Sequence, residues 1–156
     1  MAEDPTTSPE NSVEEVIEEA SDEPTAGTED ETAEEEEQLP ESWLITGANG
    51  NLGQRLIRQL LSEGADVTAV VRSSRAEREL SRAINASSKL RIEVIDYAET
   101  MLLGQAAYGA QYAVHLVGIL KATKDATYAM AHEASCTALS RALTGTSVEH
   151  VTYVSI

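Results

Sequence analysis

Short apolar runs alternate with longer helical patterns along most of the chain. Five apolar or alternating runs predict β-strands at residues 43–46, 66–71, 90–95, 112–117 and 148–155. Between them, apolar positions that recur every three or four residues predict helices at about 51–63, 75–85, 100–107 and 125–143. Strands that alternate with helices in this way are typical of an α/β protein, with a parallel sheet covered by helices on both faces.

The first 42 residues differ in composition from the rest. They hold 17 of the chain's 27 Asp and Glu residues and none of its 11 Lys and Arg residues. A segment so charged and so poor in large apolar residues buries too little surface to offset the entropy of ordering it. We therefore expect a disordered acidic tail at residues 1–42 and one folded domain at residues 43–156, a length that suits a single core.

One segment of the tail has a helical pattern. Its apolar residues, Val13, Val16, Ile17 and Ala20, fall on one stripe. The segment could therefore be a short helix that folds onto a protein partner. The alternative is a solvating spacer, because Glu-rich segments often contain such stripes by chance.

Composition excludes several classes of protein. No run of about 20 apolar residues could span a bilayer, and the first residues, Met-Ala-Glu-Asp, lack the basic and apolar regions of a secretory signal. We therefore expect a cytoplasmic protein. Cys136 is the single cysteine, which excludes an internal disulfide and a cysteine-rich metal site, so we predict no metal. The acidic tail would repel nucleic-acid phosphates, so we also predict no nucleic-acid partner.

A glycine-rich loop follows the first predicted strand. Gly47 would allow a tight turn, Gly50 would let the backbone approach a pyrophosphate, and Gly53 would let the next helix pack closely on the strand. The ligand's charge would then lie at the helix N-terminus, against free N–H groups. We expect a dinucleotide here, and the alternative is a structural turn. The predicted contacts of the loop are Gly47, Asn49, Gly50, Asn51, Leu52 and Gly53.

The end of the second strand indicates which dinucleotide binds. An acidic residue there would hold a ribose through its 2′-hydroxyl group, but residues 70–75 contain no carboxylate. Arg72 and Arg75 suit a 2′-phosphate instead, because guanidinium groups bind phosphate oxygens in a fork geometry, and the hydroxyl of Ser73 lies between them in sequence. We therefore favour NADP over NAD. The alternative is that both arginines are solvated ends of a strand and a helix.

These motifs resemble those of one family, the extended and atypical short-chain dehydrogenases/reductases, an NAD-dependent epimerase/dehydratase-like group. The matching segments are TGANGNLG at 46–53, Val-Arg at 71–72, Asp-Tyr at 96–97, HLVG at 115–118 and Tyr-Val-Ser at 153–155. The HLVG segment, with Tyr128 and His132, looks most similar to the atypical branch that includes the 39 kDa-type subunit of NADH-ubiquinone oxidoreductase. The resemblance covers residues 43–156.

The resemblance implies a Rossmann-type three-layer αβα fold with strand order 3-2-1-4-5. It puts Asp96 and Tyr97 beside the adenine. The residues implied along the nicotinamide ribose are Leu116, Val117 and Gly118. It also makes Ser155 the candidate catalytic residue, a serine that polarises a substrate group, although a strand-end hydroxyl satisfied by the backbone is the alternative. His115 and His132 are interpreted as packing or hydrogen-bonding residues.

Family chemistry further needs a Tyr with a Lys four residues later. None of the five Tyr residues of this chain has one. In the family that pair follows the fifth strand, so we expect this chain to be truncated at its C-terminus. The sequence thus predicts the NAD(P)-binding part of an oxidoreductase or epimerase. The alternative is a non-catalytic NADP-binding sensor or assembly protein whose tail engages a partner.

Overall fold

The computed structural model describes residues 40–119, 121–122 and 127–154. Apart from its last three residues, the predicted acidic tail lies outside these residues, and so does Ser155. Five strands and four α-helices alternate along the described residues. They are β1 (Ser42–Thr46), α1 (Asn51–Ser62), β2 (Asp66–Val71), α2 (Ser74–Ala83), β3 (Leu90–Val94), α3 (Thr100–Ala106), β4 (Tyr112–His115), α4 (Ser135–Leu143) and β5 (His150–Tyr153).

All five strands are parallel and lie in the order β3-β2-β1-β4-β5. The predicted Rossmann-type fold and strand order are therefore confirmed. Thr46, the last residue of β1, pairs with Val70 on one side and with His115 on the other. The carboxyl ends of the three central strands consequently lie at one edge of the sheet. The strand order switches direction between β1 and β4.

The two faces of the sheet carry separate apolar cores. The core under α1 and α2 is built from large residues such as Ile57, Leu60 and Leu80. The core under α3 and α4 is rich in alanine. A Cβ atom added at Gly104 of α3 would lie 3.2 Å from the carbonyl oxygen of Ala142 in α4, so small residues let these two helices approach closely. Helices on both faces make the three layers that the sequence predicts.

Most predicted bounds hold to within two residues, and β5 is shorter than the predicted 148–155, but β4 and the last helix differ in ways that shape the site. β4 ends at His115, because the chain then leaves the sheet and passes over Gly47. The approach is close, since a Cβ atom added at Gly47 would lie 2.8 Å from the carbonyl oxygen of Leu116. The last helix was predicted over 125–143. It begins in the structure as a π-helical segment, Ala129–Ala134, and becomes α-helical only at Ser135. The hydroxyl of Ser135 donates to the carbonyl oxygen of Ala131 (2.6 Å) within this wide turn.

Within the described part of the chain, no helix has the length and apolar character needed to cross a membrane. The cytoplasmic location stays a prediction.

Candidate functional site

A cleft of about 780 Å³ opens at the carboxyl ends of the strands. The loops that follow β1, β2, β3 and β4 line it, and the π-helical segment closes one side. This is the edge of the sheet where the topology switches direction, which is where open parallel sheets bind their ligands.

Eleven of the fourteen residues predicted to contact a dinucleotide line this cleft. They are Gly47, Asn49, Gly50, Arg72, Ser73, Arg75, Asp96, Tyr97, Leu116, Val117 and Gly118. The other three, Asn51, Leu52 and Gly53, form the first turn of α1. The candidate catalytic Ser155 lies outside the described residues.

The three glycines of the loop occupy different environments. Gly47 has a positive φ angle of 74° and lies against the backbone of Leu116. A Cβ atom on Gly53 would lie 2.6 Å from the carbonyl oxygen of Ala48. Gly50, in contrast, is extended (φ −68°), and its nearest neighbour to an added Cβ atom is the carbonyl oxygen of Gly47 at 3.4 Å, an ordinary contact. The fold therefore requires glycine at 47 and 53, whereas nothing in the described protein requires it at 50.

The loop presents the N-terminus of α1 to the cleft. Gly50 is the residue that caps this helix, and no side chain caps it. The side-chain amide of Gln54 donates to the carbonyl oxygen of Asn49 (2.9 Å), which fixes the loop from behind. The N–H groups of the first turn have no partner within the helix, and together they carry a partial positive charge of about half a unit. This end of the helix is suited to an anion.

The hydroxyl group of Tyr97 is hydrogen-bonded to the glycine loop. The backbone N–H of Gly47 donates to the Tyr97 hydroxyl (3.1 Å), and that hydroxyl lies 3.4 Å from the carbonyl oxygen of Val70, to which it donates. Burial raises the pKa of the phenol, so Tyr97 stays neutral and keeps its proton for Val70. The resemblance implied a position beside the adenine. In the structure the hydroxyl links the glycine loop to β2 through these two hydrogen bonds.

The corner between β2 and α2 forms one end of the cleft. Arg72 and Arg75 are exposed there, and the hydroxyl oxygen of Ser73 accepts the N–H of Ala76 (3.3 Å), which caps α2. The guanidinium of Arg75 pairs with the carboxylate of Glu79 through Nε and Oε1 at 2.9 Å. Within the described residues, Arg72 has no ion pair.

Glu79 lines the cleft and sequence reasoning missed it. The sequence prediction considers carboxylates only at residues 70–75, where the strand ends. Glu79 comes one helical turn after Arg75, and residues four apart on a helix are neighbours on its surface. The four-residue spacing within the predicted helix therefore indicates that Glu79 lies beside Arg75.

The opposite wall of the cleft comes from the segment after β4 and from the π-helical segment. Sequence reasoning predicted Leu116, Val117 and Gly118. It missed the remaining lining residues on this side, Ile119, Met130, Ala131, Ala134 and Ser135. No sequence signal marks these residues, because their approach depends on the π-helical turn and on tertiary packing.

A buried chain of polar groups lies behind this wall. Ser135 already donates to Ala131, so its oxygen accepts from Nε2–H of His115 (3.2 Å). The other ring nitrogen, Nδ1, then accepts from the hydroxyl of Thr46 (2.6 Å). Burial, and next the charge of His132, lower the pKa of His115 to about 4. His115 is thus a neutral, hydrogen-bonded ring that joins the end of β1 to the start of α4.

A second histidine holds the edge of the same wall. The N–H of Ile119 lies 3.5 Å from Nε2 of His132, and Nδ1 of that ring lies 3.1 Å from the hydroxyl of Tyr153. His132 therefore links the loop after β4 to β5. Both histidines make hydrogen bonds within the protein, as the sequence interpretation expected of them.

Comparisons with known proteins identify the family of this chain. Residues 47–156 match a family model described as NAD(P)H-binding. One curated relative, the fatty acid hydroxylase uhd1 of Mycosarcoma maydis, is 35% identical over 85 residues, which are 54% of this chain and 28% of that protein.

Solved structures share the fold at low identity. Uronate dehydrogenase from Agrobacterium tumefaciens is 21% identical, with a TM-score of 0.57 over 74% of this chain and 40% of its own. Yeast methylglyoxal/isovaleraldehyde reductase Gre2, complexed with NADPH, is 19% identical, with a TM-score of 0.62 over 72% and 36%. The Bordetella bronchiseptica enzyme WbmG, in complex with NAD, is 20% identical, with a TM-score of 0.64 over 76% and 38%.

The chain spans 28% of the curated relative and 36% to 40% of these three solved chains. The expected resemblance is therefore confirmed for the fold, which this chain shares with a dehydrogenase and a reductase over part of their length. The family match covers the glycine loop and every later element of the cleft, and this chain belongs to the NAD(P)H-binding family.

Proposed function

We propose that this domain binds NADP(H) in preference to NAD(H), as the cofactor-binding part of an oxidoreductase or epimerase. The observation that carries the proposal is the pair of exposed arginines, Arg72 and Arg75, at the β2–α2 end of the cleft. A ribose 2′-phosphate is the group that distinguishes the two cofactors, and guanidinium groups suit it.

Helix geometry adds to the charge of the two arginines. Ser73 caps α2, so the first-turn N–H groups and the partial positive charge of this helix lie at the same corner. Arg72 precedes the cap and Arg75 lies in the first turn. A dianionic phosphate at this corner would meet two guanidinium groups and a helix N-terminus together, an arrangement that phosphate groups favour.

The rest of the cleft suits the other parts of a dinucleotide. A pyrophosphate would lie at Gly50 and the first turn of α1, where an added Cβ atom meets only the carbonyl oxygen of Gly47, at 3.4 Å. The nicotinamide end would lie along the backbone of Leu116 to Gly118, facing Met130 and Ala131. When bound, the cofactor supplies or accepts a hydride. The protein's part is to bind it, orient it and keep His115 neutral behind it.

The proposal is tested by the affinity of the 156-residue chain for each cofactor. Arg72→Ala should weaken NADPH binding by roughly 10- to 100-fold, because a charge-assisted contact is lost, and should change NADH binding by less than about threefold. Arg78→Ala is the matched control, since Arg78 is an exposed arginine of α2 that does not line the cleft. Calorimetry with both cofactors gives the comparison, and equal losses of NADPH and NADH would refute the NADP assignment.

The whole protein's activity is also a proposal. Hydride transfer to a carbonyl or sugar-nucleotide substrate suits the family resemblance, with Ser155 as an orienting donor. A non-catalytic NADP-binding module, with the acidic tail bound to a partner, is the second candidate. A Tyr followed four residues later by Lys beyond β5 would favour the first candidate, and its absence from the whole protein would favour the second. Turnover of NADPH with a carbonyl substrate by the whole protein would support the first candidate, and stoichiometric binding without turnover would support the second.

A further inference from the structure

The adenosine end of the cleft holds a carboxylate that pairs with one of its two arginines. Glu79 lines the cleft, and its Oε1 atom lies 2.9 Å from Nε of Arg75. The NADP preference inferred above counts Arg72 and Arg75 as two available cations. The structure shows that one of them already has a counter-ion.

The Arg75–Glu79 pair is easily opened. The side chain of Arg75 is 85% exposed and that of Glu79 is 46% exposed, so solvent screens their attraction. The basic residue precedes the acidic one, which is the weaker order for a pair four residues apart on a helix. Arg75 also lies in the first turn of α2, where the helix dipole disfavours a cation and favours an anion. A phosphate could therefore take over the guanidinium from the carboxylate.

We propose that Glu79 is a specificity-determining residue of this site, because it competes with the 2′-phosphate of NADP(H) for the guanidinium of Arg75. With NADH, which has a free 2′-hydroxyl group, Arg75 stays on Glu79. With NADPH, the phosphate must displace Glu79 and then lies close to its negative charge. Glu79 thus reduces the preference that the two arginines would otherwise give, and this role rests on the proposed function.

Removing the charge of Glu79 should increase the discrimination between the cofactors. Glu79→Gln is expected to raise the ratio of the NADH and NADPH dissociation constants by roughly three- to tenfold, from release of an exposed ion pair and loss of a screened repulsion. The change should come from tighter NADPH binding, with NADH affinity altered by less than about twofold. Both side chains are exposed, so circular dichroism should show an unchanged fold.

Glu77→Gln is the matched control. It removes the same charge from the same helix, but Glu77 does not line the cleft. For Glu77→Gln, the ratio of the NADH and NADPH dissociation constants should stay within about twofold of the ratio for the parent chain. An equal rise in Glu77→Gln and Glu79→Gln would show a general charge effect and refute the role of Glu79.

A double-mutant cycle tests the route through Arg75. In an Arg75→Ala background, Glu79→Gln should change the ratio by no more than about twofold, because the guanidinium for which the two anions compete is gone and only a screened repulsion remains. A rise as large as that in the parent chain would refute the competition.

The two proposals fail in different ways. If Arg72→Ala weakens NADPH selectively while Glu79→Gln leaves the ratio unchanged, the NADP assignment stands and the role of Glu79 is refuted. If Arg72→Ala weakens both cofactors equally, the NADP assignment is refuted, and the role of Glu79 is refuted with it.

Discussion

Replacing Gly50 and Gly53 one at a time with alanine separates the glycine that a ligand needs from the glycine that the fold needs. Both residues lie in the same loop, and each change adds one methyl group. At Gly53 that methyl carbon would lie 2.6 Å from the carbonyl oxygen of Ala48 and 2.9 Å from two more backbone atoms. At Gly50 its nearest neighbour would be 3.4 Å away.

The expected effects on stability differ in size. Gly53→Ala forces two backbone segments apart, so we expect the free energy of unfolding to fall by about 2 kcal/mol or more. Gly50→Ala places alanine at an extended position that any residue adopts. The small loss of a favourable capping residue is offset by the reduced flexibility of the unfolded chain, so the free energy of unfolding should change by less than about 1 kcal/mol.

The expected effects on binding run the other way. The methyl group of Gly50→Ala enters the space where a pyrophosphate would approach the loop, so NADPH and NADH should both bind at least about tenfold more weakly. Urea unfolding followed by the fluorescence of Trp43, the single tryptophan, measures stability, and calorimetry measures affinity. The reasoning is refuted if Gly50→Ala binds as well as the parent chain, or if it is destabilised as much as Gly53→Ala.

Two further predictions concern groups behind the cleft. Burial, with a smaller effect of the charge of His132, lowers the pKa of His115 from 6.5 to about 4, so the unfolded chain takes up this proton more readily than the folded chain. The free energy of unfolding should therefore fall by roughly 2 kcal/mol from pH 7 to pH 5, with little further loss from this group below pH 4. His115→Gln should lack that part of the pH dependence in urea unfolding, and an unchanged slope would contradict the assignment. Tyr97→Phe should lower the free energy of unfolding by about 1 to 3 kcal/mol, because the N–H of Gly47 loses its partner. Thermal unfolding measures this change, and a stability equal to that of the parent chain would contradict the role of the Tyr97 hydroxyl.

Local sequence patterns were sufficient for the alternation of strands and helices and for the glycine loop, and the family resemblance supplied the strand order. Parallel strands joined by helices allow few topologies, and glycines spaced as Gly47, Gly50 and Gly53 have a physical reason only between a strand and a helix. The same reasoning gives Arg72 and Arg75, because strand ends in such a sheet meet at one edge. These features depend on spacing along the chain, which is what a sequence displays.

Other features depend on contacts between distant parts of the chain, and the sequence did not reveal them. The π-helical turn ends next to Ser135, whose hydrogen bond with His115 joins residues 20 apart in the sequence. The position of Tyr97 beside the adenine stays a prediction, whereas the hydrogen bond of its hydroxyl with Gly47, 50 residues earlier, was not predicted. Glu79 is a different case, since helical spacing alone would have placed it next to Arg75.

The separation of the two apolar cores has a consequence for how the domain forms during synthesis. Every residue of the core under α1 and α2 falls between Trp43 and Ile92, except Leu116. Contacts within this range close shorter loops than contacts that reach α4 and β5, and the N-terminal part of a nascent chain leaves the ribosome first. We therefore expect the half that carries the glycine loop and the two arginines of the cleft to assemble first. The wall that contains Ser135 would then dock onto it.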